Sequence, residues 1–242
     1  MIVKGKSSWA SGVGLWLGLL TAITMAIGMY LGLVWAPTDA IQGNDQRIFY
    51  IHVPMAWVAF LAFGVVFLAG IMYLWKRALV WDQIARSSAE IGLVFTTLVL
   101  VSGSFWGRPI WGTWWTWDAR LTTTLLLWFI FLGYFMIRAY AGDRGRAATY
   151  SAVIGILGFC DVPIIYESVN WWRTLHPQSV INITSAHMPG QMVLALMVCL
   201  LAFTLFYGYL MIQKFGIERM KDQLIDYQYA LSEREAEGVT TA

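Results

Sequence analysis

Charge is what this sequence has least of. Asp, Glu, Lys and Arg make up 12% of its 242 residues, against about 25% in an ordinary soluble domain. A chain this poor in charge, with several long apolar runs, takes the bilayer as its solvent. Its net charge of +2 makes no case for nucleic acid as a partner. Cysteine is scarce too. Cys160 and Cys199 are the only two, and both lie inside apolar runs. That excludes a disulfide framework or a cysteine-based zinc site, and both read as packing residues. The string Gly5-Lys6-Ser7-Ser8 resembles the end of a phosphate-binding loop. It lacks the motif's first glycine and a preceding strand, and so reads as a polar lead-in.

What the chain has instead is hydrophobic residues, 59% of the total, with a mean hydropathy of +0.62. A spanning helix needs about 20 mainly apolar residues. Six stretches qualify, at about 12–35, 51–75, 89–105, 121–140, 147–165 and 188–212. Single runs of this length suit helices rather than barrel strands, because each segment must satisfy its own backbone hydrogen bonds in lipid. The first run is too long for the apolar core of a signal peptide and lacks a small-x-small cleavage site, so it is kept as a helix.

Basic residues set the orientation. Lys4 and Lys6 precede the first span, and Lys76, Arg77 and Arg86 separate the second from the third. Arg138, Arg144 and Arg146 separate the fourth from the fifth, and Lys214, Arg219, Lys221 and Arg234 follow the sixth. All fall on one side, which is therefore expected to be cytoplasmic. The opposite side carries only Arg47, Arg108, Arg120 and Arg173. The expectation is an all-α integral membrane protein of six transmembrane helices with both termini cytoplasmic, one membrane domain over 1–242. The polar tail from 214 to 242 reads as a solvated cytoplasmic helix.

Three outer loops follow, Ala36 to Tyr50, Trp106 to Arg120 and Tyr166 to His187. All three histidines, His52, His176 and His187, fall on that side. Between them lies a dense aromatic segment, 106–122, which reads WGRPIWGTWWTWDARLT. Tryptophan gathers at membrane interfaces in any case, but five indoles in one short loop exceed that. If the loop is helical, Trp111, Trp114, Trp115 and Asp118 fall at i, i+3, i+4 and i+7 and share a face. Such a face binds a flat, conjugated, apolar ligand by stacking. Arg108 and Arg120 could pair with carboxylates on it. Asp118 either takes part in binding or only orients Arg120, and the residues alone do not choose.

Imidazoles supplied from separate loops suit the two axial positions of a haem, which is flat and carries two carboxylates. With no carboxylate or cysteine cluster beside them, a closed zinc site is disfavoured. Topology alone does not choose between His176 and His187. Asp161, near the outer end of the fifth span, is a further candidate as an intramembrane acid.

The string WGTWWTWDARLT resembles the tryptophan-rich WWD signature of haem-handling membrane proteins, and more narrowly the cytochrome c maturation protein C (haem exporter protein C) family. The stretches RIFYIHVP (47–54), GSFWG (103–107), VPII (162–165) and WWRTLH (171–176) fit the same family. The continuation Ala119-Arg120-Leu121 differs from the Pro-Lys-Glu typical of the related haem lyases. The resemblance implies that haem b (iron-protoporphyrin IX) is held at the periplasmic face of the bacterial inner membrane and passed to a membrane-anchored haem chaperone during c-type cytochrome biogenesis. It also implies a complex with an ABC-type ATPase, its membrane subunit and a small single-span protein. By motif, the axial ligands are His52 and His176, not His187. Trp111, Trp114, Trp115 and Trp117 would form a platform, Arg120 with Arg47 or Arg108 would pair with the propionates, and Asp118 would position Arg120. The chain would act as a haem-transfer factor rather than a conventional enzyme. The alternatives are a membrane subunit of a haem or small-molecule transporter and an electron-transfer subunit with permanent haem. Against the first stands the lack of paired interrupted helices and of a charged path. Against the second stands the placement of all three histidines on one side.

Overall fold

The protein is described here by a computed structural model covering residues 8–176 and 188–240, with side chains for 12–176 and 188–235. His187 and the lysines before the first span lie outside the described residues. Seven α-helices follow one another: α1 (Ser8–Tyr30), α2 (Phe49–Lys76), α3 (Leu79–Trp111), α4 (Ala119–Tyr140), α5 (Arg144–Phe159), α6 (Asp161–Trp171) and α7 (Gly190–Thr240). A π-helical turn, Leu31–Trp35, closes α1, and a 3-10 turn, Asn44–Ile48, leads into α2. Six of the resulting helical segments are long and apolar enough to cross a membrane, α5 and α6 together counting as one. The chain is a multi-pass membrane protein, all-helical among the described residues.

α2 is the axis of the bundle, packing against α3, α5 and α7, while α1 lies along α7 and α4 lies on α5 and α6. One core cluster joins Phe63, Val66, Leu127, Phe131 and Ile165, and another joins Val58, Ala62, Phe95 and Phe203. Lipid tails are as apolar as these side chains, so association depends on close packing and small residues at the crossings. At Gly92 a Cβ would lie 2.7 Å from the Phe63 ring, so only glycine lets α3 approach α2 this closely.

The helices run past two of the expected spans and break within a third. The third span, read as 89–105, lies inside a longer helix, α3, Leu79–Trp111. At about 1.5 Å per residue it is about 50 Å long, well beyond the ~30 Å hydrocarbon layer. Asp82, Arg86 and Arg108 had masked its ends, but these charges are paired or spent on caps. The fifth span breaks at Cys160, where Pro163 has no N–H to offer the carbonyl of Phe159, and α6 begins at Asp161. The helix of the sixth span does not stop near 212, in keeping with the helical tail expected there. It continues as α7 through the polar tail.

That tail is not simply solvated. Glu218 and Asp222 are 3% and 4% exposed. Arg86 Nε meets Glu218 at 2.8 Å and Arg144 Nη2 meets Asp222 at 2.7 Å, which ties α3 and α5 to α7. Lys214 and Lys221 close on Glu218 along α7. Arg138 forks onto Asp82 at 2.6 and 2.8 Å, joining α4 to α3. The basic residues of separate loops thus meet at one end of the bundle, here the basic end. His52, His176 and the tryptophan-rich segment occupy the other, the histidine end.

Candidate functional site

His52 lies in the first turns of α2, buried at 8% exposure. Its Nδ1 is 2.8 Å from Ser102 Oγ on α3. One turn further along α3 the Trp106 ring stands edge-on to the imidazole, with centroids 5.6 Å apart. Trp106 Nε1 donates to Gln42 Oε1 at 3.1 Å, which ties the first loop to the same helix. At Gly103 a Cβ would come within 3.1 Å of His52 Cε1, so this glycine holds open the slot that the ring fills.

The second histidine meets α3 at its last residue. Trp111 and His176 have ring centroids 6.3 Å apart. Arg120, in the first turn of α4, donates through Nη1 to His176 Nδ1 at 3.1 Å and through Nε to the Ile165 carbonyl at 3.3 Å. A guanidinium only donates. Nδ1 of His176 is therefore the acceptor, and its neutral ring carries its proton on Nε2.

The tryptophan-rich segment corrects the expected geometry. α3 ends at Trp111 because Gly112 adopts φ +74°, the left-handed conformation in which glycine caps a helix. Residues 112–118 are not helical, so Trp111, Trp114, Trp115 and Asp118 do not share a helical face. Nor do the indoles form one flat floor. Trp115 and Trp117 are nearly perpendicular at 80°, and Trp114 stands at 89° to Phe105. Trp117 is 76% exposed, whereas the Trp115 Nε1–H is buried with no partner among the described residues.

Asp118 is the N-cap of α4. Its Oδ1 accepts from the Leu121 N–H at 3.0 Å and its Oδ2 from Thr116 Oγ1 at 3.3 Å. It thus fixes the direction in which α4, and with it Arg120, leaves the segment. Arg47 donates to the carbonyls of Gly32 and Ala36 at 3.1 and 3.3 Å, satisfying the end of the π-helical turn. Arg108 donates to the Gly112 carbonyl and so caps its own helix. Asp161 is buried, and its Oδ2 has no partner among the described residues.

Of the sequence candidates, the fold draws His52, Trp111, Arg120 and His176 around the end of α3. It puts Arg47 against the first loop and turns Trp114 and Trp117 outward. Ser102 was missed. It sits in an apolar run and reads there as a helix-packing residue; the small-residue string Ser102-Gly103-Ser104 within a span was the available signal.

The donor set suits haem: two imidazoles from separate elements, an orphaned indole N–H, and guanidiniums that now donate to neutral acceptors which a carboxylate could displace. Fold and site together define a polytopic membrane protein with a paired-histidine, tryptophan-rich site at one end of its bundle. The family model described as "Heme exporter protein C" matches residues 4–228. Heme exporter protein C of Bradyrhizobium diazoefficiens is 42% identical over 194 residues, covering 79% of this chain and 73% of the relative. The Haemophilus influenzae protein of the same name is 37% identical over 212 residues, 84% and 83% of the two chains. That of Escherichia coli K12 is 39% identical over 165 residues, 68% and 67%. The chain belongs to the haem exporter protein C family.

Proposed function

We propose that this protein holds haem b at the histidine end of its bundle, on the periplasmic side of the bacterial inner membrane, and passes it to a membrane-anchored haem chaperone during c-type cytochrome biogenesis. The observation that carries this reading is the placement of His52 and His176, 124 positions apart in sequence, against Trp106 and Trp111 of a single helix end. Two imidazoles so placed suit axial ligation of iron. The basic end, with Arg86, Arg138, Arg144 and Lys214, supports a cytoplasmic assignment for that side. Membership of the family supports assembly with an ABC-type ATPase, its membrane subunit and a small single-span protein.

The chain's own residues would bind and orient the cargo rather than carry out acid-base chemistry. His52 presents one axial nitrogen from a buried, fixed ring. His176 presents the other once Arg120 lets go of it, because Nε2 can bind iron only when the ring proton sits on Nδ1, and Nδ1 now faces a guanidinium. A haem propionate is a better partner for Arg120 than a neutral imidazole is. Binding the cargo would therefore draw Arg120 away and free His176 in the same event. Asp118 directs Arg120 by capping its helix, and Trp111 covers His176. Haem held by its iron and propionates supplies an accessible vinyl edge for the chaperone's histidine.

Haem transfer from the purified, haem-loaded protein to the chaperone tests this reading. Transfer is expected from the wild type and from His187→Ala, and to be lost in His52→Ala and His176→Ala. Undiminished transfer from both of the latter would overturn it. Solute transport by haem-free protein in liposomes would favour a transporter instead.

A further inference from the structure

We propose that Ser102 is the positioning residue that presets His52 for iron, fixing both its tautomer and the plane of its ring; this rests on the haem-site reading above. Ser102 Oγ lies 3.3 Å from the Val99 carbonyl, to which it donates, and 2.8 Å from His52 Nδ1. A serine hydroxyl has one proton. With that proton directed to Val99, Oγ accepts from Nδ1–H, and the neutral ring keeps its lone pair on Nε2. A metal-bound histidine is held the same way, its other nitrogen donating to a fixed oxygen that orients the ring and raises its basicity.

The neighbouring residues of α3 complete the clamp. Gly103 leaves only the width of the imidazole, 3.1 Å from Cε1 to where a Cβ would stand. Trp106, one turn on from Ser102, meets the ring at 65°. The buried ring thus has a hydrogen bond on one side, a close backbone on another and an indole on a third. His176 has the opposite arrangement, its Nδ1 accepting from Arg120. Of the two histidines, His52 is the one set to bind through Nε2 as it stands, and Ser102 is what sets it.

The test uses the full-length protein in detergent, titrated with haem, with the midpoint potential and the low-spin ferric EPR spectrum recorded for Ser102→Ala, Ser102→Thr and His52→Ala. Ser102→Ala is expected to weaken haem binding about 10-fold. It should also raise the potential, because a less basic imidazole favours ferric iron less, and broaden the EPR signal as the ring plane loosens. Ser102→Thr, which keeps the hydroxyl, restores all three. Should Ser102→Ala fail to fold, Ser102→Thr and Ser102→Val form a pair of equal shape that differs by the hydroxyl, and the same difference is expected between them. Wild-type affinity, potential and spectrum in Ser102→Ala (or no difference within the Thr/Val pair), beside a His52→Ala that loses haem, would overturn the role of Ser102 alone. Full haem in His52→Ala would overturn the site itself.

Discussion

At the basic end of the bundle the cations meet carboxylates. Arg86 and Arg144 converge on Asp222, and Arg86, Lys214 and Lys221 converge on Glu218. At the histidine end, arginines donate to neutral groups: Arg47 to the carbonyls of Gly32 and Ala36, Arg108 to that of Gly112, and Arg120 to Ile165 and His176. Both ends have similar residues to draw on. A buried cation that already holds a carboxylate has little to gain from another anion, and removing its partner leaves an uncompensated charge. A cation resting on a carbonyl can gain from a carboxylate that arrives later. The basic end therefore holds helices together, and on the proposed reading the histidine end would exchange its contacts for those of a ligand.

This contrast can be broken from either side. The largest effect is expected from losing an axial ligand. His52→Ala or His176→Ala should weaken haem binding by more than about 100-fold, beyond the range of outer-shell changes, while the apoprotein still folds, its melting temperature lowered in His52→Ala by the cavity that the buried ring leaves. Haem titration followed by absorbance, beside a thermal melt, measures both. Next comes Asp222→Ala at the other end. Removing one partner of a buried pair costs about 3 kcal/mol and lowers the melting temperature by about 5 °C or more. Haem affinity of the folded fraction should not change; if it falls in parallel, the two ends are not separate in function.

A smaller effect is expected from Gly103→Ala. The added methyl presses on His52 Cε1 at 3.1 Å, and overpacking of this kind costs about 1–3 kcal/mol. That cost should fall on haem binding, as a loss of roughly 10-fold, with a shifted Soret band. The smallest change is expected for Trp117→Ala. Its ring is 76% exposed and meets Trp115 edge-on, a contact worth about 0.5–1.5 kcal/mol. A few-fold loss of affinity fits that. A loss as large as that of His52→Ala would restore the flat four-indole platform that the structure does not form.

The sequence was informative where a single periodicity or count carried the meaning. Six apolar runs became six helical segments long and apolar enough to cross a membrane, and the split of basic residues foresaw the gathering of Arg86, Arg144 and Lys214 at one end. It also put His52 and His176 on the opposite side, where the structure brings them to one helix end. It misled where charge and length conflicted. Asp82, Arg86 and Arg108 ended the third apolar run early, although α3 continues through all three because each has a partner. Glu218 and Asp222 looked like a solvated tail because the partner they share, Arg86, lies 132 and 136 residues away, a distance that no local pattern reports. The helical spacing of Trp111, Trp114 and Trp115 was real in number but not in space, since Gly112 turns the chain between the first and second. Ser102 was hidden for the opposite reason: a small residue in an apolar span resembles ordinary packing until its hydroxyl is seen against His52.

The central claim is that two histidines, one preset and one guarded, form the axial pair at the end of α3. The absorption and EPR spectra of the purified, haem-loaded protein test it most directly, recorded for the wild type and for His52→Ala, His176→Ala and His187→Ala. A low-spin bis-histidine spectrum in the wild type and in His187→Ala, absent from the other two, is the predicted result. The same low-spin spectrum at full intensity in either His52→Ala or His176→Ala would contradict it.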